Sequence, residues 1–136
     1  MKKTGILNAK ISEIIASMGH TDKLIVCDCG LPIPRNALKV DLALTNNIPR
    51  FLDTLRVILQ ELIVEEAIVA REMRETGNGM FEEVSALLPG IDIKQISHED
   101  FKSFYKNCDE IAFIRTGEST PYANIILQSG VTFEKK

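Results

Sequence analysis

Short runs of β-branched and other apolar residues recur along this chain, separated by stretches patterned for helices. The clearest runs cover residues 23–28, 66–70, 91–96, 110–114 and 124–128, and residues 39–44 alternate like a further strand. Such runs are too short for helices, and several are apolar on both sides. That is the pattern of strands inside a sheet covered by helices.

The intervening stretches carry helix signals. Asn8 is placed to cap a helix whose apolar residues Ile11, Ile14, Ile15 and Met18 share one face, with Gly19 as its stop. Pro49 suits the first turn of a helix running through Leu52, Leu55, Ile58, Leu59 and Leu62. Gly77-Asn78-Gly79 breaks the chain before a helix with Phe81, Val84, Leu87 and Leu88, which Pro89-Gly90 ends. Ser97 caps a last helix through Phe101, Phe104 and Tyr105. The alternation predicts an α/β fold: a three-layer α/β/α sandwich around a mostly parallel sheet. The final strand, extended by residues 131–133, would add an antiparallel edge. At 136 residues the chain reads as one domain, residues 1–136, without repeat or linker.

The net charge of −3 gives no footprint for nucleic acid or an acidic membrane surface. No apolar stretch approaches the roughly 20 residues needed to span a bilayer, and Lys10 and Glu13 interrupt any export signal after Met1-Lys2-Lys3. Cys27, Cys29 and Cys108 make an odd count that suits reduced thiols better than a disulfide framework. The expectation is a soluble, cytoplasmic chain with neither nucleic acid nor membrane as partner.

In sheets of this kind ligands gather beyond the carboxyl ends of the strands, where Asp28 and the loop after Arg115 belong. His20 follows a helix C-terminus, whose partial negative charge favours the imidazolium by about 0.3–2 kcal/mol. Asp22 or Asp28 nearby would act the same way. His20 is therefore either a proton donor or a surface histidine in a turn. Asp28 ends an apolar run and is either a loop anchor or a ligand-binding group. Cys27 and Cys29 on either side of it read as packing rather than a metal site, since structural zinc takes four well-spaced ligands. His98 starts a helix, a position biased toward the neutral ring, and reads as a proton acceptor or an exposed polar residue. Lys102 lies one turn further along. Residues 116–124 are rich in groups that both donate and accept hydrogen bonds, with Tyr122 adding an aromatic face and Asn124 a paired donor and acceptor. Glu118 is a candidate second carboxylate. Phosphate loops, Gly-x-Ser-x-Gly elbows and His-Glu-x-x-His pairs are absent from the sequence.

Several separated segments resemble the ribose pyranase and fucose mutarotase family. They are Gly5-Ile6-Leu7-Asn8, Gly19-His20-Thr21-Asp22, Cys27-Asp28-Cys29-Gly30-Leu31-Pro32-Ile33-Pro34 and Asp41-Leu42-Ala43-Leu44-Thr45. His98-Glu99-Asp100-Phe101-Lys102, Arg115-Thr116-Gly117-Glu118 and Pro121-Tyr122-Ala123-Asn124 follow in order. The Gly-Leu-Pro-Ile-Pro loop is similar to the ribose branch. The resemblance implies interconversion of the pyranose and furanose forms of D-ribose, with His20 as proton donor. It implies Asp28, His98, Tyr122, Ala123 and Asn124 as substrate-binding residues, with no metal or cofactor. It further implies ring-shaped homo-oligomers, typically decamers, with sites near subunit junctions. Two other readings stay open: a mutarotase on fucose or another aldose, and a non-catalytic sugar-binding accessory.

Overall fold

Period-2 burial on both sides of the strands organises the molecule. In the computed structural model, which describes residues 1–133, the strands are β1 (Lys23–Cys27), β2 (Lys39–Asp41), β3 (Val64–Ala70), β4 (Asp92–Ile96), β5 (Ile111–Arg115) and β6 (Ile125–Ser129). Leu24, Val26, Ala112, Ile114, Ile125 and Leu127 enter one apolar cluster. Their neighbours Ile25, Cys27, Ile111, Phe113 and Ile126 enter another. Because successive strand residues point to opposite faces, each cluster fills one side of the sheet.

Helices α1 (Ala9–Ser17), α2 (Phe51–Leu59), α3 (Arg71–Glu75) and α4 (Met80–Leu87) supply Ile11, Ile14, Phe51, Leu55, Met73 and Val84 to the first cluster. Helix α5 (His98–Lys106) supplies Phe101 and Tyr105 to the second. The three layers expected from the sequence are present. Among the described residues no helix is long and apolar enough to cross a membrane.

The sheet order is β2-β5-β1-β6-β3-β4. β1–β5, β2–β5 and β3–β4 pair parallel, while β6 runs antiparallel to both β1 and β3. Five strands therefore point one way and β6 alone points back. The sheet is mixed, and its reversed strand is central rather than the edge foreseen. Its position joins two parallel halves, an arrangement set by tertiary pairing. Residues 131–133 form no strand.

Local signals fared well where caps were involved. Asn8 Oδ1 accepts from Ile11 N at 3.0 Å, and Ser97 Oγ accepts from Asp100 N at 3.0 Å. Helix α1 nevertheless ends at Met18 in extended backbone, so Gly19 is no left-handed stop. Helix α2 begins after Pro49, with Arg50 at its N-cap. The short α3 has a single buried apolar residue, Met73, too little periodicity to announce it.

Candidate functional site

The reversed β6 gathers polar groups at one end of the sheet. Asp28 leaves the carboxyl end of β1, His98 follows β4, and the segment 116–124 connects β5 back to β6. All lie at the same end, because five strands finish there and β6 starts there.

Asp28 is buried, with 9% of its surface exposed. Its Oδ1 accepts from Gly30 N (3.0 Å) and Leu31 N (2.8 Å), which folds the Cys29-Gly30-Leu31 loop around the carboxylate. Asn124 is fully buried behind it: Oδ1 accepts from Asp28 N at 2.8 Å, and Nδ2 donates to Asp28 Oδ2 at 3.3 Å. Burial pushes the Asp28 carboxyl above its usual range. The N–H groups of Gly30 and Leu31 and the Asn124 amide oppose that rise without cancelling it.

An open groove of about 380 Å³ runs over this carboxylate, lined by Asp28, Gly30, Leu31, His98, Tyr122 and residues 118–121. Tyr122 adopts φ +66°, a left-handed conformation that costs a side-chain-bearing residue about 1–2 kcal/mol. The ring it presents meets the His98 ring edge-on, with centroids 5.1 Å apart. His98 also stacks on Phe101 at 6.5 Å, and its backbone N–H donates to both oxygens of Glu72 at 3.1 Å. Its Nδ1 is buried and has no hydrogen-bond partner. A buried polar atom of that kind normally finds a partner, and this one has none among the described residues. The Tyr105 hydroxyl donates to Pro32 O and anchors the far wall of the groove.

The groove brings an aromatic ring, a carboxylate and an imidazole together in one concavity. These are the groups that grip vicinal hydroxyls while covering C–H surface. Of the expected residues, Asp28, His98 and Tyr122 line it, and Asn124 fixes Asp28 from behind. The Ala123 side chain is fully buried in the core. Glu118 is no free second carboxylate: Arg50, Thr120 Oγ1 and the Phe51 backbone N–H occupy both its oxygens. Lys102 turns to Glu99, 2.8 Å away. Burial, reinforced by the Asp28 charge, pushes the Cys27 thiol far up, so it remains protonated packing.

His20 is elsewhere. It precedes β1 and lies beside the finish of β6, whereas Asp28 follows β1. Five strand residues separate the two, roughly 15–20 Å at about 3.3 Å each. Neither Asp22 nor Asp28 pairs with His20. Asp22 Oδ2 accepts from Gly19 N at 2.8 Å, and the His20 Nε2 lies 2.9 Å from Glu65 Oε2. Glu65, 45 residues away, and Glu72 were not foreseen; no local pattern marks either one.

The match to the RbsD / FucU transport protein family extends over residues 1–132. The chain belongs to this family. Within the RbsD / FucU family it is 57% identical to the D-ribose pyranase of Coprothermobacter proteolyticus, covering 98% of this chain and all of the relative. It is 53% identical to the D-ribose pyranase of Clostridium tetani over the same shares. The solved structure of Bacillus subtilis RbsD complexed with D-ribose superposes with a TM-score of 0.91 at 46% identity, covering 98% of this chain and all of that one.

Proposed function

We propose that this chain interconverts the pyranose and furanose forms of D-ribose, acting as a cofactor-free isomerase. What carries the reading is end-to-end likeness to D-ribose pyranases, 57% at its highest among those named above, coupled to a groove suited to sugar hydroxyls. The reaction needs only proton movement. A proton reaches the pyranose ring oxygen, the anomeric hydroxyl loses one, and the bond from C1 to the ring oxygen breaks to leave an aldehyde. After rotation the C4 hydroxyl attacks C1, gives up its proton, and the carbonyl oxygen regains one. No C–H bond breaks and no electrons leave the sugar.

Asp28, His98 and Tyr122, backed by Ala123 and Asn124, hold the sugar in this scheme, and the Asp28 carboxylate or His98 takes the anomeric proton. His20 supplies the proton to the ring oxygen. Because His20 and Asp28 occupy opposite ends of one sheet, the His20 that serves a given groove belongs to a second copy of the chain. Self-association is thus a requirement of the mechanism, and a ring-shaped homodecamer is the assembly the family resemblance implies. Exposed Leu7, Leu44 and Ile48 provide apolar surface for such contacts. A cytoplasmic setting agrees with three cysteines that are all unpaired.

Magnetisation-exchange NMR on D-ribose tests the proposal. Faster pyranose–furanose exchange, abolished in His20→Ala while ribose still binds, is the expected result; a positioned acid of this kind contributes about 10²–10⁴ in rate. Acceleration of fucose anomer exchange alone would make the chain a mutarotase instead. Binding without any acceleration would reduce it to a sugar-binding accessory.

A further inference from the structure

The pairing of β3 with β6 is uneven at its start. Val64 faces Ser129 and Glu66 faces Gln128, which leaves Glu65 as the extra residue of a bulge. In a regular ladder neighbouring side chains alternate, and Glu65 would turn away from the side shared by Glu66 and Gln128. With the bulge, Glu65 reaches that side: its Oε1 accepts from Gln128 Nε2 at 2.8 Å, and its Oε2 lies 2.9 Å from His20 Nε2. Glu66 remains free to pair with Lys94 at 2.5 Å.

The turn carrying His20 is fastened to the same place. Thr21 N donates to Ser129 O at 2.9 Å and Ser129 N to Asp22 O at 2.8 Å, with Thr21 in left-handed backbone at φ +71°. An exposed ion pair alone contributes little to stability. A bulge, a strained turn and an amide clamp converge here on one imidazole, which is more than such a pair requires.

We infer that Glu65, itself held by Gln128, is a positioning residue for His20. It binds the Nε2–H and so fixes Nδ1 as the nitrogen that exchanges a proton with the sugar. This rests on His20 being the proton donor. On ring opening the Nδ1 proton passes to the ring oxygen, and the neutral ring keeps its Nε2 proton on Glu65. On closure Nδ1 recovers a proton from the attacking C4 hydroxyl. Glu65 orients the ring throughout and never carries the proton, the role an aspartate plays beside a catalytic histidine elsewhere.

The test combines ribose exchange rates, ribose affinity and the ring tautomer in the intact protein. Glu65→Ala should lower the exchange rate about 10- to 100-fold, as loss of a histidine's outer partner commonly does, with ribose affinity held within about twofold. Glu65→Gln keeps an acceptor for Nε2–H and should recover most of the rate. Long-range ¹H–¹⁵N spectra, simple to assign with two histidines, should show neutral His20 as the Nε2–H tautomer in the wild type. If Glu65→Ala retains the wild-type rate, loses ribose affinity in parallel, or if His20 is mainly the Nδ1–H tautomer, the inference is overturned. Full activity in His20→Ala overturns the proton-donor reading itself, and the positioning role falls with it.

Discussion

Glu118 joins the groove wall to the helix behind it, and replacing it with glutamine isolates that link. Burial alone would raise its carboxyl, but bonds from Arg50, Thr120 and the Phe51 N–H outweigh burial and hold it at about 2 against a usual 4.5. The Phe51 N–H is among the unpaired donors of the α2 N-terminus, so the carboxylate also meets the positive end of that helix. A carboxyl depressed this far contributes about 3 kcal/mol at neutral pH. Because the folded value is the lower one, that stability is complete above 4.5 and disappears as pH falls toward about 2. Glu118→Gln sets an amide NH₂ against the Arg50 guanidinium or the Phe51 N–H, so donor meets donor. Equilibrium urea unfolding followed by far-UV circular dichroism, at one fixed protein concentration because association shifts apparent stability, should show the variant about 2–3 kcal/mol less stable at pH 7. The gap should narrow by about 2 kcal/mol between pH 5 and pH 3, as Glu118 of the unfolded wild-type chain takes up a proton that the folded chain still resists. Equal midpoints at pH 7, or a gap indifferent to acid, would refute the reasoning.

Gly117→Ala probes the neighbouring loop: its Cβ would fall 2.4 Å from Thr45 O and 2.5 Å from Ile48 O, both rigid backbone. The displaced turn should cost about 1–3 kcal/mol, read in a thermal melt as a Tm lower by about 5–10 °C, and an unchanged Tm would contradict it. Asp28 titrates in the opposite sense to Glu118. Its raised folded value means that protonation favours the folded state as pH falls, while the charged form burdens it at neutral pH. Since the proposed reaction uses the carboxylate, the acid limb of the ribose exchange rate should lie above 3.8, and a pH–rate profile with its limb at or below that value would count against Asp28 as a working group.

Capped helices and apolar strands were legible because their signals are local. Asn8 and Ser97 mark helix starts with their own side chains, and runs such as 23–27 are apolar on both faces. Asp28 was legible as either a loop anchor or a ligand-binding group because it ends a buried strand, whereas His98 and Tyr122 were singled out by the family resemblance. Strand order was not legible, because nothing within residues 125–129 says whether they pair at an edge or between β1 and β3. The partner of His20 was hidden more deeply. Glu65 sits in a charged pair, Glu65-Glu66, at the start of a strand, and only the bulge decides that one turns to Lys94 and the other to the imidazole. Glu118 was read as available because sequence shows a carboxylate but not the three donors around it.

The strand that runs against its neighbours ties two distant places to a single alignment. Asn124, just ahead of it, backs the groove carboxylate, and Gln128 near its finish clamps Glu65. A slip of one residue along β1 and β3 would invert every side chain from Ile125 to Ser129. Such an error would strip support from the groove carboxylate and from the imidazole in one stroke, so both ends are spoiled or spared together.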